Sequence, residues 1–122
     1  MDVLAVECED RGDSIVVRAK GDIDSSTVSE LTTKLTTALQ LASVHPARLI
    51  IVDLQAVTFF GSAGLNAVLD CCEDAADAGT SVRLVADNPQ VIRPIEVTNL
   101  DRFLEVYPTM TDALRRDRDM HA

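Results

Sequence analysis

The chain has 122 residues, 47% hydrophobic and 25% charged, the balance of one globular domain with a single core. Aromatic residues make up 3% and tryptophan is absent, so the core has to be aliphatic. An excess of 20 acidic over 11 basic residues gives a formal net charge of −9, which repels phosphate backbones and anionic bilayers. Neither nucleic acid nor direct membrane insertion is expected.

The first residues carry no basic region, and Glu7, Glu9 and Asp10 interrupt the apolar run, so no secretory leader is expected there. No stretch approaches the roughly 20 apolar residues of a membrane span. Residues 3–8 and 14–20 read as strands, with Gly12-Asp13 suited to a hairpin turn between them. In the second strand Ile15, Val17 and Ala19 face one way, and Val16, Arg18 and Lys20 the other.

After Gly21-Asp22-Ile23-Asp24 the period becomes helical. Val28, Leu31, Leu35, Leu39 and Ala42 recur at spacings of three and four. Ser25, Ser26 and Thr27 are alternative N-caps, with Thr27 and Glu30 spaced as a capping box, and His45-Pro46 closes the segment. Residues 49–52 show no polar alternation, as expected of a central parallel strand covered on both faces.

From Ser62 a second helix runs to about residue 78, with Leu65, Val68, Leu69, Cys72 and Ala76 as its buried stripe and Gly79 as its stop. On that stripe Cys72 belongs to the core and Cys71 is a partly exposed thiol. With Cys8 these cysteines show neither a disulfide pattern nor metal-ligand spacing, and they read as reduced thiols of a cytoplasmic protein. Residues 81–86 form another strand, Asn88-Pro89 opens a third helix whose regularity Pro94 limits, and residues 104–106 suit a short edge strand. Thr109 with Asp112 caps a last helix that frays into the charged run at 115–119. With no internal repeat and no linker, the pattern is one α/β domain over residues 1–122, its helices packed on a mixed sheet.

Catalytic candidates are poor. His45 precedes a proline and His121 lies in the tail, both read as exposed and without a nucleophile at a recognisable spacing. Gly61-Ser62-Ala63-Gly64 lacks the first glycine of a hydrolase elbow, because residue 60 is Phe, and no Gly-Lys-Ser/Thr marks a phosphate loop. Asp22 and Asp24 are a weak cation signal and read as solvated turn residues. Neither a metal nor a cofactor is expected. Ser62 has two readings: an N-cap whose oxygen accepts an amide, worth about 1 kcal/mol, or an exposed, rigidly presented acceptor for a phosphate of roughly −1.5 to −2 charges.

Gly21-Asp22-Ile23-Asp24, Val52-Asp53-Leu54 and the run from Val57 through Phe59-Phe60-Gly61-Ser62-Ala63-Gly64-Leu65 resemble the landmarks of the STAS domain. More narrowly, the chain resembles the bacterial anti-sigma-factor antagonists of partner-switching systems, over residues 3–114. The resemblance implies an α/β STAS-type fold: a mixed sheet of four to five strands packed against about four helices. It implies a binding protein rather than an enzyme. The unphosphorylated form would bind an anti-sigma factor, usually a GHKL-type serine kinase, and free the sigma factor for transcription. Phosphorylation would break that complex and a phosphatase would restore it. By position the phosphoacceptor is Ser62, and Asp22, Asp24, Ser25, Gly61, Ala63, Gly64 and Leu65 complete the docking surface. Two departures stand out: the family's usual Asp before the acceptor is Gly61 here, and its usual Ser or Thr after it is Ala63. An alternative on the same fold is a regulatory STAS subunit of a membrane transporter, binding an ATPase or carrier.

Overall fold

Residues 4–120 are described by a computed structural model, so the strand start expected at Val3 and the tail residue His121 lie outside the described residues. Ten elements follow in order: β1 (Ala5–Asp10), β2 (Ile15–Ile23), α1 (Val28–Ser43), β3 (Leu49–Phe60), α2 (Ser62–Asp77), β4 (Ser81–Val85), α3 (Pro89–Val97), a 3-10 turn (Leu100–Arg102), β5 (Glu105–Tyr107) and α4 (Met110–Met120). The strands form one sheet in the order β1-β2-β3-β4-β5. β1 pairs antiparallel with β2, and the remaining pairs are parallel. This is the mixed α/β sheet with four α-helices that the sequence implies.

β1 reaches Asp10, two residues beyond the expected end, because its alternation of Val6 and Cys8 with Glu7 and Glu9 suits an edge strand with one wet face. The β1–β2 turn closes through Arg11 N–H to the Ser14 carbonyl at 2.9 Å, with Gly12 at φ +86° supplying the left-handed residue. β3 lies at the centre and is covered on both sides. Ile50, Val52 and Leu54 join Ile15, Val17, Leu31, Leu35 and Val68 beneath α1 and α2. Leu49 and Ile51 meet Val16, Val85 and Ala113 under α4. Each fully buried aliphatic side chain contributes about 1.5–3 kcal/mol by leaving water, and this apolar layering places the strand ends.

Three expectations are corrected. β3 does not stop near Val52 but continues to Phe60, because β2 extends alongside it to Ile23 through two bulges. Beyond the end of β4 the exposed side of that extension is held by Asn88, whose Nδ2 donates to the Leu54 and Val57 carbonyls at 3.1 and 2.8 Å. His45 is buried rather than exposed: its Nδ1 accepts from the Ala47 amide at 3.1 Å, leaving Nε2 to face Asp10 Oδ1 at 3.2 Å. The histidine thus ties the exit of α1 to the edge strand. On α2, Cys71 is buried and Cys72 half-buried, the reverse of the expected assignment, and Ala76 is exposed. The buried stripe is Gly64, Leu65, Val68, Cys71 and Ala75.

Other local signals hold as read. Gly79, at φ +74°, follows the end of α2, and the Asp112 amide donates to Thr109 Oγ1 at 3.1 Å at the start of α4. Pro94, expected to limit the regularity of α3, lies inside a helix that keeps its span Pro89–Val97.

Candidate functional site

The parallel ends of β2 and β3 lie side by side, Asp22 opposite Phe59 and Ile23 opposite Phe60. The pairing runs one residue further, since the Gly61 amide donates to the Ile23 carbonyl at 3.0 Å. α2 then starts at once. Gly61 is its N-cap, in extended backbone (φ −85°, ψ 180°), and Ser62 is the first helical residue.

That placement removes the capping role considered for Ser62. A side-chain cap must come from the extended N-cap residue, and here that residue is a glycine with no side chain to offer. No side-chain cap bond forms at this helix start, and Ser62 is exposed. The first intrahelical bond is from the Leu65 amide to the Gly61 carbonyl at 3.1 Å. The amides of Ser62, Ala63 and Gly64 therefore belong to the set a helix leaves unpaired within itself, and they carry the positive end of its dipole.

Beneath the turn the packing is close. A β-carbon on Gly64 would stand 2.6 Å from Ile23 Cγ2 and 3.0 Å from Phe60 Cε1, inside the contact limit for carbon. Glycine at 64 lets α2 sit directly on the β2 and β3 ends. Gly64 and Leu65 are buried, so of the expected docking residues these two shape the turn from below. Gly61, Ser62, Ala63, Asp22, Asp24 and Ser25 are exposed or half-exposed.

The neighbouring loop is built by Asp24. Its Oδ1 accepts the Ser26 amide at 2.9 Å, the Thr27 amide at 3.1 Å and the Ser26 hydroxyl at 2.7 Å. In return Thr27 Oγ1 accepts the Asp24 amide at 2.9 Å and lies 2.8 Å from the Asp22 carbonyl, to which it donates. The reciprocal box is thus Asp24 with Thr27, in the turn that leads into α1, and the expected Thr27–Glu30 box does not form, since Thr27 at the N-cap makes no side-chain cap bond. The Ser26 hydroxyl, followed by the Ser26 and Thr27 amides, holds the Asp24 carboxyl below the ordinary carboxylate range. Asp24 is therefore a capping anion rather than a plain solvated turn residue. Asp22 accepts a hydrogen bond from Thr58 Oγ1 at 2.5 Å, which locks the last turn of β2 to β3. Among the described residues, no three His, Cys, Asp or Glu side chains are grouped to hold a metal ion.

Two residues that sequence reasoning passed over belong to this face. Thr58 fixes Asp22, and Phe59 is 51% exposed beside Gly61. The β-bulges that orient Phe59 have no motif, and a strand period alone misassigns it. Hollows of about 310 and 440 Å³ open under α3 and between α2 and the segment 100–104, and neither is lined by this turn. No helix among the described residues is long and apolar enough to cross a membrane.

The five-stranded mixed sheet with its four α-helices fits one domain class. Residues 5–113 match the STAS domain model, and the chain belongs to the STAS domain family. A candidate anti-anti-sigma factor of Mycobacterium tuberculosis is 31% identical over 111 residues, covering 91% of this chain and 74% of that protein. The anti-sigma-F factor antagonist RsfB of the same species is 29% identical over 113 residues, covering 93% of this chain and 88% of that one. The crystal structure of an anti-sigma factor antagonist from Mycobacterium paratuberculosis has a TM-score of 0.84 at 31% identity, covering 94% of each chain.

Proposed function

We propose that this chain is a cytoplasmic anti-sigma-factor antagonist without catalytic activity of its own. Its unphosphorylated form binds an anti-sigma factor, a GHKL-type serine kinase, and so releases a sigma factor to transcribe. The observation that carries this reading is the Ser62 hydroxyl: exposed, at the first position of α2, with its expected intramolecular task already removed by Gly61. With Ala63 following, it is the one hydroxyl in the turn 61–64.

The chemistry required of this chain is small. The γ-phosphoryl group of ATP passes to Ser62 Oγ, the hydroxyl proton leaves, and ADP is the other product. The fold tolerates the new dianion, because the unpaired amides and dipole of α2 face it. A partner docked over the turn does not, since it meets added bulk and charge on a surface already at −9. Opposing a desolvated contact at an interface costs about 2–5 kcal/mol, or roughly 30-fold or more in affinity. A phosphatase that removes the group restores the binding form.

Incubation with a cognate anti-sigma kinase and ATP, followed by mass spectrometry of the peptide spanning 59–69, tests the assignment. Ser62→Ala is expected to stay bound and Ser62→Glu to bind weakly. Equal binding by the two variants would sink the switch, and co-purification with a transporter ATPase instead of a kinase would favour the transporter role.

A further inference from the structure

β3 reaches Phe60 through two bulges against β2, one between Asp53 and Ala56 and one between Val57 and Phe59. Each adds a residue and reverses the alternation of side chains. Leu54, Val57 and Phe60 therefore all point into the core at spacings of three, and Phe59 is turned outward. Without the second bulge Phe59 would be the buried ring and Phe60 the exposed one.

The outward ring lies across Gly61. A β-carbon at 61 would stand 3.0 Å from Phe59 Cε2 and 3.4 Å from Cζ, whereas the backbone meets it only at the Ile23 carbonyl, 3.5 Å away. The backbone tolerates a side chain there, and the ring is what opposes it. Glycine at 61 and the position of the ring are two aspects of one local packing arrangement.

We propose that Phe59, seated on Gly61, is the specificity-determining anchor of the Ser62 docking face, and that it inserts into an apolar depression on the anti-sigma factor. This rests on the function proposed above. An aromatic ring gives large contact area for few frozen torsions, the profile of interface anchors. A phosphate on Ser62, three residues away, would have to be stripped of water beside that ring for docking to proceed. The apolar anchor and the phosphate are thus mutually exclusive occupants of one interface.

The test is a double-mutant cycle on the unphosphorylated protein, with binding to the anti-sigma factor measured by calorimetry and folding checked by thermal melts. Phe59→Ala is expected to weaken binding about tenfold or more with little change in melting temperature, because half the ring is already in water. Phe59→Leu keeps an apolar side chain and is expected to bind within about threefold of the original protein. Gly61→Ala weakens binding by displacing the ring, so in the Phe59→Ala background it adds no further loss. Unchanged binding by Phe59→Ala overturns the anchor and leaves the antagonist function standing, as does an equal Gly61→Ala loss in both backgrounds. If the unsubstituted chain binds no anti-sigma factor, the function and the anchor fall together.

Discussion

Replacing Gly64 with alanine sets two opposed effects against each other at the base of the turn. Helix propensity favours alanine over glycine by about 0.8–1.0 kcal/mol in a helix interior. The added β-carbon would lie 2.6 Å from Ile23 Cγ2 and 3.0 and 3.1 Å from two Phe60 ring carbons. Neither neighbour has room to withdraw: Ile23 is fully buried and Phe60 is 3% exposed. Overpacking of this kind costs typically 1–3 kcal/mol, so packing outweighs propensity and a net loss of up to about 2 kcal/mol is expected. A domain of this size loses about 4 °C of melting temperature per kcal/mol, which puts the fall at up to about 8 °C in a calorimetric or circular-dichroism melt. A melting temperature equal to or above that of the unsubstituted chain would refute the close approach of α2 to the ends of β2 and β3. The same shift would tilt Ser62, so weakened anti-sigma binding is expected to accompany the lost stability.

Other consequences are as direct. Asp24→Ala removes the acceptor of the Ser26 and Thr27 amides and is expected to lower the melting temperature, whereas Asp24→Asn keeps an acceptor oxygen and retains most of it; equal loss in both would deny the capping role. Asp10 and Asp24 both have native carboxyls held below the ordinary 3.8, chiefly by the Gly12 amide and the Ser26 hydroxyl respectively. Their stabilisation is therefore present above about pH 4 and is lost as pH falls through the lowered native values, which acid titration of the melting temperature reads, with a smaller acid loss expected for Asp24→Asn. Leu31→Ala, at a fully buried site on the inward face of α1, is expected to cost about 2–5 kcal/mol by urea titration, and a loss below about 1 kcal/mol would contradict its place in the core. Burial pushes Cys71 up to about 12 and Cys72 up to about 11, so labelling of either by a disulfide reagent at neutral pH should be slow until urea unfolds the chain; rapid native labelling of Cys71 would show that the helix phase is wrong.

The parts of the fold that the sequence discloses are those where one period persists. The unbroken apolar run at residues 49–52 marks a strand buried on both faces, and the three-and-four spacing from Leu31 to Ala42 marks α1. What stays hidden is decided between elements. β3 reads as ending at Val52 because the apolar run stops there, and the two bulges that carry it to Phe60 arise from pairing with β2. The phase of α2 is set by Gly64: its missing side chain lets the helix settle with Cys71 and Ala75 inward, whereas the larger Leu69 suggests a stripe one position later. Asp24 reads as a solvated turn residue, and its role of holding the Ser26 and Thr27 amides depends on where β2 releases the chain.

The same between-element logic fixes what Ser62 can be. A serine one position earlier would hold the extended N-cap conformation, and its oxygen would turn back to an amide of the first turn. At the first helical position the oxygen has no such partner, yet it stays beside amides that favour an anion. At the N-cap Gly61 offers no side chain to the first turn, and it also gives the Phe59 ring a floor. Glycine at 61 thus has two effects on the face: it offers no side chain beside the acceptor and it seats an apolar ring. The proposed switch then works by setting a phosphate, costly to dehydrate, beside an apolar ring that docking has to bury.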